Sequence, residues 1–201
     1  MSISERKERE RKELRMKIIN AAAEIIAGQG EEALTIRKVA KKVEYSPRTI
    51  YLYFQDKDDL IFQVVETAFQ MTLDARSLAP PVEGLSPKEL FYQRIHTHIR
   101  NGIENPHFYR AVITLIFQKA MKPGKAQQQI INQTKKDLHK LTGDGVSEQE
   151  VEILSEILFA SLRGFTISLV NKMDTLSEKE IQKRADQFIS FFFHGMKHKR
   201  K

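Results

Sequence analysis

Cysteine is absent from the 201 residues. That excludes a disulfide framework, a thiolate zinc site and a cysteine nucleophile together. Nine glycines and six prolines are few for a sheet-rich fold that needs many tight turns. The longest apolar run, Ala111 to Phe117, is broken by Thr114. No membrane-spanning helix and no membrane partner are therefore expected. The opening stretch MSISERKERERKELR is densely charged and lacks the apolar stretch of a secretory signal, which makes the cytoplasm the expected compartment. No carboxylate pair, Ser-His-Asp order or glycine-rich phosphate loop stands out. An enzyme is disfavoured and no cofactor is expected. His96 and His98 are two apart, hence on different helix faces, so no shared metal is expected either.

What the chain does have is ordinary core-forming material, 41% hydrophobic and 29% charged residues. That content argues against wholesale disorder. The balance is basic, 33 Lys+Arg minus 26 Asp+Glu giving +7, and the charge is unevenly placed. From Thr35 to Lys57 six cations (Arg37, Lys38, Lys41, Lys42, Arg48, Lys57) face two anions (Glu44, Asp56). The tail from His194 to Lys201 adds four more. Basic segments favour polyanionic partners.

Apolar spacing near 3.6 dominates and strict alternation is nearly absent, so the chain reads as all-α. Leu14, Ile18, Ala21, Ala22, Ile25 and Ile26 stripe a first helix that stops near Gly28–Gly30. Two short helices follow, at about 35–43 and 46–53, then a longer one behind the N-cap Asp56. Leu78 to Pro87, with three prolines and a glycine, is the best subdomain boundary. Further helices are expected at about 88–103, 106–121, 124–141, 148–171 and 177–197, with Pro106 at N1 and a breaker at Gly143-Asp144-Gly145. The expected organisation is an N-terminal three-helix module over 1–60 and a larger helical domain over 61–201.

The segment Ile36 to Phe54 carries the most information. Thr35 can cap the first short helix, and Ser46-Pro47 supplies a cap and an N1 proline for the second. Apolar or aromatic side chains fall at Val39, Val43, Tyr45, Ile50 and Tyr53, with small Ala40 between. That is the pattern of a helix-turn-helix, whose second helix is offered to the major groove. A plain helical hairpin fits the apolar spacing equally well. It leaves Arg48, Thr49, Tyr51 and Lys57 unexplained.

The run TIRKVAKKVEYSPRTIYLYFQDKDDL, with the preceding AAAEIIAGQG, resembles the DNA-binding signature of the TetR/AcrR family of bacterial transcriptional regulators. Thr35, Ile36, Ala40, Ser46, Thr49, Ile50, Tyr51, Phe54, Lys57 and Leu60 carry the match, which covers roughly residues 15–65. Ile26 stands for a frequent Phe, and Glu44 where the family usually has Gly in the turn. A non-glycine residue at positive φ costs about 1 kcal/mol, so the turn is either reshaped or bears that cost. Chemistry and resemblance together assign Arg48 and Thr49 to base edges, the arginine to guanine and the threonine methyl to thymine. Pro47 is assigned apolar contact, and Thr35, Tyr51 and Lys57 phosphate contacts. Arg37 and Ser46 complete the candidate interface. Tyr53 and Phe54 read better as core wedges. Glu5 to Arg15, alternating in sign, reads as a solvated helix extension or, more sharply, a DNA-tracking arm.

In the C-terminal domain, helix 148–171 carries two apolar stripes. One is Val151, Leu154, Leu158, Leu162, Phe165 and Leu169; the other is Ile153, Ile157, Ala160, Gly164 and Ile167. A helix serving only its own core needs one stripe. With the wide apolar face of the last helix, this points to a four-helix homodimer interface through Ile157, Ala160, Gly164, Ile167, Ile189 and Phe193. Phe91, Ile95, His98, Ile99, Phe108, Val112, Leu115 and Ile116 are candidates for a small apolar or amphipathic effector's pocket, since few charges are expected to point inward there. Plain core packing has the same composition.

The chain therefore reads as a homodimeric one-component transcriptional regulator, a repressor of a palindromic double-stranded site, released by a small molecule. Two other readings stay open: a DNA-binding helical protein without ligand control, and a helical-bundle binding protein or enzyme with an incidental basic segment.

Overall fold

Helix α1 spans Ile3–Gln29 and opens on a capping box, in which Glu5 N–H donates to Ser2 Oγ and Ser2 N–H to the Glu5 carboxylate. Its first turns carry exposed i,i+4 ion pairs, Arg6–Glu10 at 2.9 Å and Arg9–Glu13 at 3.4 Å. Such pairs contribute only a few tenths of a kcal/mol, about 0.2–0.5 each. The charged run is thus an exposed extension of the helix. Burial starts at Ile18. Gly30, at φ 83°, ends the helix with its N–H on the Ile26 carbonyl.

In this computed structural model residues 2–78, 84–118, 121–143 and 145–197 are described, and among them every regular element is a helix. After α1 come α2 (Ile36–Val43), α3 (Pro47–Tyr51), α4 (Lys57–Ser77), α5 (Pro87–Glu104), α6 (Pro106–Gln118), α7 (Lys125–Thr142), α8 (Glu148–Val170) and α9 (Glu178–Lys197). The starts follow the chain's own signals. Ser86-Pro87 and Ser147 cap α5 and α8 in full capping boxes with Glu89 and Glu150. Part of the proline-rich link, residues 79–83, lies outside the described residues, as do Asp144 of the expected breaker and the end of the basic tail, 198–201.

The chain divides into two compact units, one of Met1–Ala68 with His107–Gly124, the other of Phe69–Pro106 with Lys125–Lys201. In the first, Ile18, Ile26, Val39, Ile50, Phe54 and Leu60 close a core from α1 to α4. Arg15 lies over the Phe54 ring at 5.3 Å and donates to Gln63 at 2.6 Å. In the second, Phe91, Ile95, Ile99, Leu138, Leu158, Leu162, Ala185 and Ile189 form the core.

Helix α8, 23 residues long, is apolar enough by length and composition alone to cross a membrane, a test that a core helix also meets. Ser155, Glu156, Ser161 and Arg163 interrupt its apolar residues without making the helix polar. The helix has two apolar faces. Val151, Leu158, Leu162 and Leu169 are buried, whereas Ile153 and Ile157 are 44% and 50% exposed.

Candidate nucleic-acid interface

Thr35 is extended at φ −135° and its side chain accepts from Lys38 N–H at 3.1 Å, so it starts α2 as expected of a cap. Val39, Ala40 and Val43 are buried. Glu44 then adopts the left-handed conformation, φ 63° and ψ 37°. The turn is therefore not reshaped, and the chain bears the backbone cost that glycine would avoid. Glu44 N–H donates to Lys41 O and Tyr45 N–H to Ala40 O at 3.0 Å, which satisfies two of the helix's last carbonyls.

Ser46 caps α3. It accepts from Thr49 N–H at 3.2 Å, and the two hydroxyls lie 2.9 Å apart. Ile50, fully buried, anchors this single-turn helix, and Phe54, at 2% exposure, anchors the segment after it. With that side fixed, Pro47, Arg48 and Tyr51 are exposed and Thr49 is half-buried. Phe54 is thus a core wedge and Tyr53 is half-buried. Tyr45, grouped by its spacing with the inward residues, is instead 46% exposed. It follows the left-handed Glu44, and a helical repeat does not carry through such a turn.

The cations of this face fall into two groups. Lys42 pairs with Glu24 at 2.8 Å, and Lys38 donates to Gln29 at 3.3 Å. Lys57 donates to the Glu31 backbone carbonyl at 3.0 Å. Arg37, Lys41 and Arg48 are exposed and make no ion pair among the described residues. At the start of α4, Asp56 accepts from Asp59 N–H at 2.8 Å while Asp59 accepts from Gln55 N–H at 3.0 Å. The segment thus presents Arg37, Pro47, Arg48 and Tyr51 to solvent, with planar guanidinium groups suited to base edges or phosphates.

The expected effector residues fall in both units. Phe108, Val112 and Leu115 are buried in the first, with Ile116 half-buried; Phe91, Ile95 and Ile99 are buried in the second. His98, also in the second, is held neutral, its pKa pushed down to about 3 by burial and then by the charges of Arg76 and Arg163. The expectation that few charges point inward is overturned here. Arg94 donates to Asp137, whose side chain is only 4% exposed. Burial, then Arg94, lowers Arg76 to about 10 against the opposing pull of Asp137. Charges at helical spacing read as solvated, and the overlooked signal is Arg94, His98 and Asn101 running beside the apolar stripe of α5. An open groove of about 600 Å³ between α5 and α9 is lined by His96, Arg100, Glu178 and Lys179 among others.

The expected dimer residues also divide. Ile157, Ala160 and Gly164 are exposed on α8, with Ile167 half-buried. A Cβ placed on Gly164 would meet nothing within 4 Å. Ile189 is corrected, whereas Phe193 is half-buried. Ile189 is 1% exposed in its own unit's core, and the Phe193 ring packs edge-on to Phe91 at 5.4 Å. The outward aromatic of α9 is Phe191, 80% exposed.

Residues 18–64 match the model of the N-terminal domain of bacterial regulatory proteins of the tetR family. The chain is 41% identical over 49 residues to the fatty acid metabolism regulator protein of Bacillus subtilis strain 168, covering 24% of this chain and 25% of that one. It is 33% identical over 78 residues to the HTH-type transcriptional regulator HbdR of Aromatoleum sp. strain CIB, covering 36% and 34%. These matches span about a quarter to a third of the curated relatives' length. Among solved structures, the fatty acid degradation regulator FadR of Bacillus halodurans superposes with a TM-score of 0.72 at 19% identity, over 89% of this chain and 94% of that one. FadR of Bacillus subtilis in complex with stearoyl-CoA gives 0.66 at 19% identity, over 90% and 98%. At such identities these two likenesses establish the fold alone. A left-handed turn, a capped single-turn helix with Arg48 outward, and the matched residues 18–64 converge on one assignment: this segment is similar to the N-terminal domain of bacterial regulatory proteins of the tetR family.

Proposed function

We propose that this chain is a one-component, sequence-specific DNA-binding transcriptional regulator, a repressor acting in the cytoplasm and released by a small effector. The observation that carries it is α3, held by buried Ile50 and presenting Arg48 and Tyr51 to solvent. Arg48 and Thr49 read base edges, with Pro47 in apolar contact. Thr35, Arg37, Ser46, Tyr51 and Lys57 fix the register on the phosphates. Residues 1–60 are the DNA-binding module and 61–201 the sensing and pairing domain.

Two copies pair through the exposed stripe Ile153, Ile157, Ala160 and Gly164 of α8, joined by Phe191 of α9. A contiguous apolar surface of that kind is what a helical dimer interface buries. Two-fold pairing makes the preferred site palindromic. The effector is apolar or amphipathic, in keeping with the stearoyl-CoA bound to a protein of the same fold.

Selection of bound duplexes from a random DNA pool tests the reading, followed by challenge of the complex with a panel of hydrophobic and amphipathic compounds. A palindromic consensus and release by one compound class are expected. A consensus with no release by any compound would favour DNA binding without ligand control. Absence of any sequence preference would overturn the proposal.

A further inference from the structure

Inside the second unit, three arginines, a histidine and one carboxylate gather from four helices. Arg76 comes from α4, Arg94 and His98 from α5, Asp137 from α7 and Arg163 from α8, near enough for their charges to act on one another. Asp137 already accepts at both oxygens, one from Arg94 and the other from Gln133 Nε2 at 3.1 Å. The Nε of Arg76 is buried with no hydrogen-bond partner among the described residues. The hydroxyl of Thr166, a fully buried residue one turn beyond Arg163 on α8, is in the same position. The guanidinium offers only donors, and the hydroxyl can donate as well. An arginine left this way inside a protein is costly unless an acceptor meets it. His98, kept neutral, adds no positive charge to the cluster.

We infer that this cluster is a receptor for an oxyanion, a carboxylate or phosphate carried as the headgroup of the effector, with Arg76 as its principal contact. The inference rests on the ligand-sensing reading and narrows it. Asp137 holds Arg94 in place, while Arg76 is left to meet the ligand. A structural ion pair would need a second acid that the described cluster lacks, whereas an anion supplies charge and acceptors together.

The test uses the full-length protein with three probes of one chain length: dodecanoate, dodecyl phosphate and dodecanol. Binding is followed by calorimetry and by the shift in melting temperature. At least one anionic probe should bind about tenfold or more tightly than the alcohol, and which of the two prevails identifies carboxylate or phosphate. Arg76→Met should abolish that preference, leave dodecanol binding unchanged, and raise the ligand-free melting temperature by on the order of 3 °C. Equal binding of acid and alcohol by the wild type, or a preference that survives Arg76→Met, overturns the headgroup site while leaving ligand sensing intact. Binding of none of the three, or a ligand-free Arg76→Met protein less stable than wild type, also overturns it. The sensing reading itself falls only if the wider compound panel releases no DNA.

Discussion

Lys57, the first residue of α4, donates from Nζ to the backbone carbonyl of Glu31 at 3.0 Å and lies 3.7 Å from that residue's carboxylate. One lysine thereby ties the link after α1 to the start of α4. Its ammonium has further donors, so holding the module's geometry leaves it able to make the proposed phosphate contact as well.

Lys57→Ala should therefore cost about 1 kcal/mol of stability through the lost hydrogen bond, in addition to weakening DNA binding. Binding should fall similarly for specific and scrambled duplexes, and the log–log salt slope should become shallower by about 2 per dimer. Thermal melts and a salt series check both. An unchanged slope would remove Lys57 from the phosphate contacts.

Arg48→Ala should behave in the opposite way. Arg48 is exposed and makes no ion pair among the described residues, so the melting temperature should hold. Specific binding should weaken by roughly 1–3 kcal/mol with relaxed preference at one base pair per half-site. Competition between specific and scrambled duplexes reads this directly.

Glu44→Gly relieves a left-handed glutamate at φ 63°. The fold should gain about 1 kcal/mol, seen as a raised denaturant midpoint at unchanged slope. Removing an anion from the proposed DNA-binding segment should also tighten binding at low salt. A variant less stable than wild type would mean the glutamate makes a compensating contact.

Gly164→Leu probes the α8 face. Space is open around a Cβ there, so a lone subunit should accept the leucine. A close helix crossing would not, with overpacking costing about 1–3 kcal/mol. Sedimentation should show the variant shifted to monomer at micromolar concentration with its helical signal intact. A wild type that is itself monomeric there would sink the dimer.

His98 sets a pH dependence. Its folded pKa, about 3, lies below the ordinary 6.5, so the unfolded chain binds the proton more readily. Stability should then fall as pH drops below 6.5 and level off only near 3. His96 and His107, also lowered mainly by burial, act in the same direction. Facing His98 are Arg76 and Arg163, whose charges oppose its protonation. His98→Gln should flatten the acid limb of a stability–pH curve, and an unaltered limb would assign it elsewhere.

The order and type of the helices were legible because apolar spacing and caps agree: Ser46-Pro47, Asn105-Pro106 and Ser147 each mark a start. The strip around Arg48 was legible because burying Ile50 and Phe54 leaves few directions for its neighbours. The interior arginines were not, since a pattern cannot separate a charge facing water from one facing a core. Nor could it divide the wide apolar face of α9, where Ile189 and Phe193 turn inward and Phe191, which no stripe included, turns out.

The exposed stripe on α8 also bears on gene dosage. If two chains must meet along Ile153, Ile157 and Gly164 before a palindrome can be held, the DNA-competent form grows with the square of copy number while most chains are single. Halving expression would then cut promoter occupancy more than twofold at the low end. A cell could set the sharpness of its response by how much of this protein it makes.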